Sequence, residues 1–333
     1  MDKILIMGCG SWGSAIAQSL SNNDYNVLMW HYNEKKLIKY NSTRQHPNLL
    51  NFRFNEKIDF SFDLKTNVSK SNIIVIATPS KVVRQIISKI KPYLNNKHII
   101  VNTSKGLEVD TLFTMSEVIS NELNFDFNNI VSLYGPSHAE EVATCQPTTL
   151  VSAASDAIVA KKIQKVFSSE NLRVYTNQDI KGVELGGSLK NIIAIATGIC
   201  DGLGFGDNTK AAIITRGIAE ITRLGEKMGA QSSTFSGLSG TGDLIATCLS
   251  KHSRNRFVGE SLGSGKSLDQ ILESMEMVAE GVITAKTVSR LSKKYNVDMP
   301  ISNAVYQSLF EEVDPKKAVL DLMSRDLTKE RNN

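Results

Sequence analysis

The apolar residues in the first half of the chain form short continuous runs, separated by longer stretches with helical spacing. Such runs are typical of strands buried on both faces of a parallel sheet. The stretches between them have apolar residues every three or four positions, as in helices packed on a sheet. This alternation predicts an α/β fold, a doubly wound Rossmann-type parallel sheet of about seven strands. Strands are predicted at 3–7, 26–30, 73–77, 98–102, 130–134, 148–152 and 172–175.

The second half of the chain has a different pattern, with long helical stretches and few strand signals. We therefore predict a dinucleotide-binding domain over residues 1–180 and an all-helical substrate domain over residues 181–328. The polar segment 33–67 predicts an insertion with helical pieces rather than a separate domain. Helices of the second half are predicted at 181–203, 210–228, 242–249, 255–262, 267–275, 281–295 and 301–310.

Composition narrows the class of protein. The 333 residues are 41% apolar and 22% charged, and a chain of this length can form two cores. The formal net charge of +4 is mild, so it suits anionic small molecules and gives no support for nucleic-acid binding. Four cysteines without a CxxC pair and five scattered histidines predict no metal site and reduced thiols.

The start of the chain and its apolar runs bear on location. Met1-Asp2-Lys3 leads directly into a strand, so we expect no signal peptide. No apolar run approaches the roughly 20 residues that span a bilayer. We expect a soluble, cytoplasmic protein without membrane insertion.

A glycine motif follows the first strand. Gly8, Gly10 and Gly13 form G-x-G-x-x-G between a strand and a helix. In a dinucleotide site these glycines permit a tight turn, backbone approach to a pyrophosphate and close helix packing. The helix N-terminus then faces the phosphates. The alternative is a purely structural turn.

The end of the second strand bears on cofactor choice. NAD-selective folds usually carry an acidic residue here for the ribose 2′-hydroxyl. His31 and Tyr32 occupy these positions, and Glu34 lies beyond them. Without a carboxylate, a 2′-phosphate is not repelled, so NADP or NAD is expected. The alternative is that His31 and Tyr32 are ordinary strand-end residues.

Three further candidates follow predicted strands, and ligands of open parallel sheets bind at the carboxyl ends of strands. Lys105 follows strand 98–102 and is placed to meet cofactor and substrate, or it is a solvated loop lysine. Gly135 and Ser137 follow strand 130–134. Gly135 allows close backbone approach, and Ser137 can cap the next helix or donate to a ligand.

Lys190 is the only formally charged side chain between Leu185 and Cys200, within a long apolar helix. Burial of an ammonium group is costly and lowers its pKa, which suits proton transfer near neutral pH. The stretch is equally compatible with a lysine at the edge of a core helix whose ammonium group reaches water.

Asp243 and Thr247 lie one helical turn apart after a glycine-rich loop. Asp243 could bind a substrate hydroxyl or a lysine, or it could stabilise its own helix as a first-turn carboxylate.

Ser253, Arg254 and Asn255 open another helix. Together they offer hydroxyl, guanidinium, amide and backbone donors that suit a phosphate dianion, although a solvated basic turn has the same composition. The segment 278–281 opens a further helix and could touch the nicotinamide side of a cofactor.

With these motifs, the sequence closely resembles the bacterial NAD(P)-dependent sn-glycerol-3-phosphate dehydrogenases over almost its full length. The resemblance rests on the glycine motif and on residues 103–108, 135–137, 186–191, 204–206, 240–244 and 253–256. It implies that Lys190 is the proton acceptor in glycerol phosphate oxidation, with Lys105, Asp243 and Thr247 beside it. The implied substrate contacts are Lys105, Gly135, Ser137, Lys190, Asn191, Asp243, Ser253, Arg254 and Asn255. The implied cofactor contacts are Gly8, Gly10, Ser11, Trp12, Gly13, His31, Tyr32, Lys105, Ala139, Arg254, Val278 and Glu280.

The resemblance also implies a reaction and an assembly. The expected reaction interconverts dihydroxyacetone phosphate and sn-glycerol 3-phosphate for phospholipid synthesis. The expected assembly is a homodimer. Trp12 stands where many relatives have another aromatic residue, and His138 where some have phenylalanine, so His138 receives no role. Two alternatives stay open: a related 3-hydroxyacid dehydrogenase, which needs a carboxylate anchor, and a non-catalytic nucleotide-sensing module.

Overall fold

The computed structural model describes residues 2–124, 128–275, 278–327 and 329–330. Strands and helices alternate through the first half, as the apolar pattern predicts. The strands are β1 (Lys3–Met7), β2 (Asn26–Trp30), β3 (Ile58–Phe60), β4 (Ile73–Ile76), β5 (Ile99–Asn102), β6 (Ile130–Tyr134), β7 (Thr148–Ala153) and β8 (Leu172–Asn177). The helices between them are α1 (Ser11–Asn22), α2 (Glu34–Thr43), α3 (Leu64–Lys70), α4 (Val83–Ile90), α5 (Met115–Leu123), α6 (Ala139–Ala143) and α7 (Ala157–Phe167).

All eight strands form one sheet in the order β3-β2-β1-β4-β5-β6-β7-β8. The predicted doubly wound Rossmann-type fold is confirmed. One detail differs from a fully parallel sheet: β7 pairs antiparallel with β6, and β8 then runs parallel to β7. Strand direction depends on how the connecting segments cross the sheet, so the apolar pattern of a strand does not encode it.

Strand β3 corrects the prediction for segment 33–67. This segment is an integral part of the domain, since Ile58 pairs with Val27 and Phe60 with Met29 at the sheet edge. The strand has three residues, and only Ile58 is fully buried. A run this short shows too little alternation to distinguish it from a loop.

The sheet separates two apolar cores. Ile4 and Ile6 of β1 pack in one core with α1 and α7, whereas Leu5 and Met7 pack in the other with α4 and α5. Successive side chains of a strand point to opposite faces, so a continuous apolar run requires helices on both sides. The carboxyl ends of β1, β4, β5 and β6 therefore meet at one edge between these layers.

The second half is helical, and each of the seven predicted helices is present within a few residues of its predicted bounds. The helices are α8 (Ile180–Gly202), α9 (Asp207–Lys227), α10 (Ser232–Phe235), α11 (Asp243–Leu249), α12 (Arg254–Gly263), α13 (Leu268–Glu273), α14 (Glu280–Tyr295), α15 (Pro300–Phe310) and α16 (Pro315–Met323). The short helix α10 and the C-terminal helix α16 were not predicted. One turn of π-helix, Leu238–Gly242, precedes α11.

Helix α8 is the centre of the helical core and carries Lys190. It packs very closely on α12 because both helices have glycines where they cross. A Cβ on Gly198 would lie 2.0 Å from the carbonyl oxygen of Arg256, and one on Gly259 would lie 2.0 Å from that of Ile195. The two backbones therefore touch, and the position of α12 relative to Lys190 is tightly defined.

Helix α8 also corrects an expectation about membranes. The helix has 23 residues, and its most apolar 18-residue stretch has a mean hydropathy of 1.2, which is sufficient for a membrane span by length and composition. That stretch is completely buried inside the protein, as in a core helix. The proposed boundary between residues 180 and 181 stays a prediction, although α8 begins there.

Candidate functional site

The glycine turn lies between β1 and α1, as predicted. Gly8 has φ +121°, and a Cβ there would lie 2.5 Å from the carbonyl oxygen of Ala77. A Cβ on Gly13 would lie 2.4 Å from the carbonyl oxygen of Gly8, whereas one on Gly10 would meet nothing within 4 Å. Gly8 and Gly13 thus permit close packing, and the space beside Gly10 is open for a ligand.

The first turn of α1 fits an anionic group. Among the described residues, no side chain caps this helix and its first turn contains no acid. The hydroxyl of Ser11 is buried and has no hydrogen-bond partner within the described part of the chain. A pyrophosphate would satisfy this hydroxyl and the helix N–H groups together. Trp12 and Ala139 pack against the adjoining core, at the starts of α1 and α6.

His31 and Tyr32 follow β2 directly, and their rings stack with centroids 4.4 Å apart. Tyr32 is 79% exposed, so a ligand can reach this surface. Burial lowers the pKa of His31, and the charge of Lys36 acts in the same direction. Glu34 is the first residue of α2 and lies outside the strand end, as expected.

Two lysines meet one carboxylate at the centre of the site. Lys190 of α8 donates to Oδ1 of Asp243, and Lys105 donates to Oδ2 over 2.6 Å. Lys190 is 5% exposed and Asp243 is 1% exposed. The Lys190 ammonium is therefore buried and paired rather than extended to water, while its role in proton transfer stays a prediction. Asp243, in turn, contacts both lysines rather than merely stabilising its own helix.

Burial and charge act on these groups in opposite senses. Burial lowers the pKa of Lys190 to about 8, with Asp243 opposing the change and Lys105 adding to it. Burial alone would raise the pKa of Asp243, but the charges of Lys105 and Lys190 bring it below its ordinary value. Lys190 can therefore gain or lose a proton near neutral pH beside a carboxylate whose pKa is held below its ordinary value.

Thr247 and Asn191 complete the surroundings of Lys190. Lys190 donates to the hydroxyl of Thr247, which itself donates over 2.7 Å to the carbonyl oxygen of Asp243. This hydroxyl accepts from the lysine and fixes its direction. Asn191 is buried next to Lys190 in α8.

Lys105 also connects the site to the end of β6. Its ammonium donates over 2.9 Å to the carbonyl oxygen of Gly135 and lies 5.8 Å from the ring centroid of Tyr134. Ser137 donates to the same carbonyl oxygen over 2.9 Å. Its hydroxyl does not cap α6, whose N-cap residue is His138, and its contact with a ligand stays a prediction. His138 precedes α6, and its Nε2 lies 3.3 Å from the carbonyl oxygen of Ala246.

The Ser-Arg-Asn segment forms the start of α12. Ser253 caps the helix by accepting from the N–H of Arg256, and Asn255 accepts from the N–H of Gly281 over 2.9 Å. The exposed Arg254 donates over 2.8 Å to the carbonyl oxygen of Val278. The Ser253 hydroxyl thus accepts from the helix and keeps its own O–H as a donor, and the exposed Arg254 adds a guanidinium beside it.

Glu280 has a partner that the sequence did not indicate. It accepts from the N–H of Ser80 over 3.0 Å and from its hydroxyl over 2.6 Å. Ser80 belongs to the segment after β4, so this pair joins the two halves of the molecule. The position of Ser80 just after the end of β4 was the signal in the sequence that could have marked it as a site residue. Buried Asn102, Tyr134 and Glu184 were also missed, although a lone acid beginning an apolar helix is a detectable feature.

Comparison with known proteins identifies the family. The family model named NAD-dependent glycerol-3-phosphate dehydrogenase N-terminus matches residues 3–160, and the family model of the C-terminus matches residues 179–320. A glycerol-3-phosphate dehydrogenase (NAD(P)+) of Staphylococcus haemolyticus is 47% identical over 98% of this chain and 99% of its own length. One of Chlorobium chlorochromatii is 46% identical over 99% of both chains.

A solved structure agrees. Glycerol-3-phosphate dehydrogenase of Coxiella burnetii superposes with a TM-score of 0.92 at 35% identity, over 97% of this chain and 99% of that one. The family predicted from the sequence motifs is confirmed. The chain belongs to the NAD(P)-dependent glycerol-3-phosphate dehydrogenases and is an oxidoreductase of that family.

Proposed function

We propose that the chain reduces dihydroxyacetone phosphate to sn-glycerol 3-phosphate reversibly, with Lys190 as the acid and base. The observation that carries this proposal is the buried pair of lysines on Asp243. A sensing module would need no buried ammonium group with a pKa near 8 in its binding cleft.

Proton transfer is the task of Lys190. In reduction its ammonium donates a proton to the C2 carbonyl oxygen, and in oxidation the neutral amine takes the hydroxyl proton. The nicotinamide cofactor, when bound, supplies the hydride that reaches C2. Thr247 and Asn191 orient the amine and the substrate around it.

Lys105 and Asp243 prepare the site. Lys105 carries positive charge toward the developing alkoxide, which stabilises the transition state. Asp243 holds both ammonium groups in one place and limits the fall in the pKa of Lys190. Gly135 positions Lys105 through its carbonyl oxygen. The Ser137 hydroxyl donates to the same carbonyl oxygen and presents its own oxygen as an acceptor to the substrate.

The substrate phosphate binds at the start of α12. The exposed guanidinium of Arg254, the amide of Asn255 and the first N–H groups of the helix provide charged and neutral donors. Ser253 contributes chiefly by capping the helix. A carboxylate would use fewer of these donors, and this supports the phosphate ester over a 3-hydroxyacid.

The dinucleotide lies across the carboxyl ends of β1 and β2. Gly8, Gly10 and Gly13 shape the turn for the pyrophosphate, with Ser11 and Trp12 beside it. His31 and Tyr32 face the adenosine ribose, and both NADP and NAD are accepted because neither residue is acidic. Lys105, Ala139, Arg254, Val278 and Glu280 line the remaining path toward the nicotinamide.

A spectrophotometric assay tests the reaction. NADPH or NADH oxidation is followed with dihydroxyacetone phosphate, with unphosphorylated dihydroxyacetone and with a 3-oxo acid of similar size. We expect turnover of the phosphate ester and rates lower by about 100-fold or more for the other two. Preference for the 3-oxo acid would contradict the substrate, and turnover of none would favour the sensing module.

A cytoplasmic homodimer is the proposed assembly. Exposed apolar side chains near the C-terminus support self-association, among them Leu320 and Met323 of α16. The four free cysteines support a reducing compartment. Sedimentation equilibrium at micromolar protein would give twice the chain mass for a dimer, and cell fractionation tests the compartment.

A further inference from the structure

Glu184 is a fully buried carboxylate with no role in the proposed chemistry. It lies in the second turn of α8 and is 0% exposed. Ser116 donates to it from its N–H over 2.9 Å and from its hydroxyl over 2.6 Å, and Ser132 donates over 2.6 Å. The side-chain amide of Asn102 donates over 3.2 Å. Donors from two strands and one helix thus converge on this residue.

Glu184 sets the orientation of Asn102. Burial raises the pKa of Glu184, and the hydrogen bonds from Ser116 and Ser132 oppose this change. In either protonation state its Oε1 accepts from the NH2 group of the Asn102 amide, because that group only donates. The amide oxygen then points to the N–H of Ser104 and accepts over 3.0 Å. The same NH2 group donates over 3.0 Å to the hydroxyl of Tyr134. Reversal of the amide would break these contacts together.

Tyr134 carries the chain of hydrogen bonds to Lys105. Its hydroxyl accepts from Asn102 and donates to the carbonyl oxygen of Ser104. Ser104 immediately precedes Lys105, and Gly135, which accepts from the Lys105 ammonium, immediately follows Tyr134. The position of Tyr134 therefore acts on both the backbone and the head group of Lys105.

One face of α8 holds this assembly. A Cβ on Gly187 would lie 2.5 Å from the Tyr134 ring, so the ring packs directly on the helix. Ser188 donates over 3.2 Å to the carbonyl oxygen of Gly106, just after Lys105. Gly187 and Ser188 lie three and four residues after Glu184, so both are on its face of the helix. The helix that carries Lys190 thus also contacts the loop that carries Lys105.

We infer that Glu184 is a positioning residue for catalysis: through Asn102 and Tyr134 it holds the Lys105 ammonium on Asp243, opposite Lys190. This inference rests on the acid/base role proposed above for Lys190. A carboxylate with a merely structural role would affect stability without changing how Lys105 acts on Lys190.

The pH dependence of reduction separates these two roles. Lys190 must be protonated to donate, so kcat/KM for dihydroxyacetone phosphate falls as pH rises through its pKa of about 8. The groups facing Lys190 are Lys105, Asp243, Cys248 and His138. Burial raises the pKa of Cys248 to about 12 and lowers that of His138 below its ordinary value, so neither becomes charged near pH 8.

Tyr134→Phe is the first variant, because it removes one hydroxyl and keeps the ring. With Lys105 less well held, Lys190 feels less repulsion and more of the Asp243 charge. We expect kcat/KM at pH 7 to fall about 5-fold to 100-fold. The basic limb of the pH profile, where kcat/KM falls as pH rises, should move to higher pH by about half a unit or more. Tyr40→Phe is the matched control, since the buried Tyr40 hydroxyl has no partner among the described residues.

Glu184→Gln is the second variant, with Glu220→Gln as its control. Glu220 is a similarly buried carboxylate that binds the start of α15 through Ile301 and Ser302. Both substitutions should lower the free energy of unfolding measured in urea. We expect only Glu184→Gln to move the basic limb. If Glu184→Gln does not fold, Tyr134→Phe decides the question.

The possible outcomes are distinct. The positioning role is overturned if the basic limb of Tyr134→Phe coincides with that of the parent. It is also overturned if the basic limb moves equally in Glu220→Gln. Lys190→Met is assayed in parallel. If that variant keeps the activity and the limb, the role of Lys190 is wrong and the positioning role fails with it. If Lys190→Met is inactive and Tyr134→Phe matches the parent, only the positioning role fails.

Discussion

Asp243 and Glu220 are both buried carboxylates in the helical half, yet their surroundings give them opposite properties. Asp243 meets two ammonium groups, and their charge outweighs burial, so its pKa lies below its ordinary value. Glu220 accepts from the N–H groups of Ile301 and Ser302 and from the Ser302 hydroxyl. Burial outweighs these neutral donors and raises the pKa of Glu220 to about 7.

This difference distinguishes the proposed reactive centre from a structural one. Ionic partners hold the pKa of Asp243 below its ordinary value and bring two ammonium groups together at the proposed substrate site. Neutral donors tie Glu220 to the first turn of α15, where a carboxylate satisfies free N–H groups. Burial of an acid is therefore a weak indicator of function by itself. The chemical identity of its partners carries the information.

Loss of Lys190 should have the largest effect on the reactive centre. Lys190→Met keeps the length of the side chain and leaves Asp243 paired with Lys105. We expect kcat to fall by about 100-fold or more, the usual scale of general acid–base catalysis. Cofactor affinity, measured by NADPH fluorescence titration, should change little. Lys161→Met, at an exposed lysine of α7, is the control, and a Lys190→Met enzyme with near-parental kcat would refute the assignment.

Arg254→Ala tests how far the reactive centre extends toward the phosphate. Charge-assisted hydrogen bonds contribute roughly 1.5–3 kcal/mol each, so kcat/KM for dihydroxyacetone phosphate should fall about 10-fold to 100-fold. Unphosphorylated dihydroxyacetone is the internal control and should be affected little, which narrows the discrimination between the two compounds. KM for NADPH is measured separately because Arg254 is also a proposed cofactor contact. Equal losses for both substrates at saturating cofactor would show that Arg254 does not bind phosphate.

His31→Asp places a carboxylate at the end of β2, where neither His31 nor Tyr32 is acidic. Repulsion of a 2′-phosphate should raise KM for NADPH about 10-fold relative to KM for NADH. His31→Asn removes the ring without adding charge and should leave this ratio close to the parent's. The two KM values are measured with dihydroxyacetone phosphate saturating. A parallel loss for both cofactors in His31→Asp would mean that the ribose lies elsewhere.

Glu220→Gln should have the smallest catalytic effect and tests the structural centre. The pKa of Glu220 is raised above its unfolded value of 4.5 to about 7, so the folded protein holds this proton more tightly. The parent therefore loses stability as pH rises from about 4.5 to about 7, by on the order of 2 kcal/mol. The variant lacks this contribution. The amount by which its unfolding free energy, measured in urea, falls below the parent's should therefore be smaller at pH 8 than at pH 5. A constant difference between the two proteins at both pH values would contradict the raised pKa.

Much of the fold and some of the site follow from the sequence, because their signals are local. The strand, glycine turn and helix over residues 3–22 show their periods and φ-permissive positions within a few turns of chain. The seven main helices of the second half were predicted for the same reason. Lys190 was found because a single charge in a long apolar helix is visible without any partner.

The tertiary structure decided which residues meet. Asp243 is 138 residues from Lys105 and 53 from Lys190, and no local period reports such a contact. The place of β3 in the sheet, the reversal at β7, the Ser80–Glu280 pair and the bonds around Glu184 also join distant segments. Each polar group there costs free energy when buried alone and becomes stable only with its partner in place. The sequence by itself determined where the reactive groups stand along the chain, and folding determined the charges that surround them.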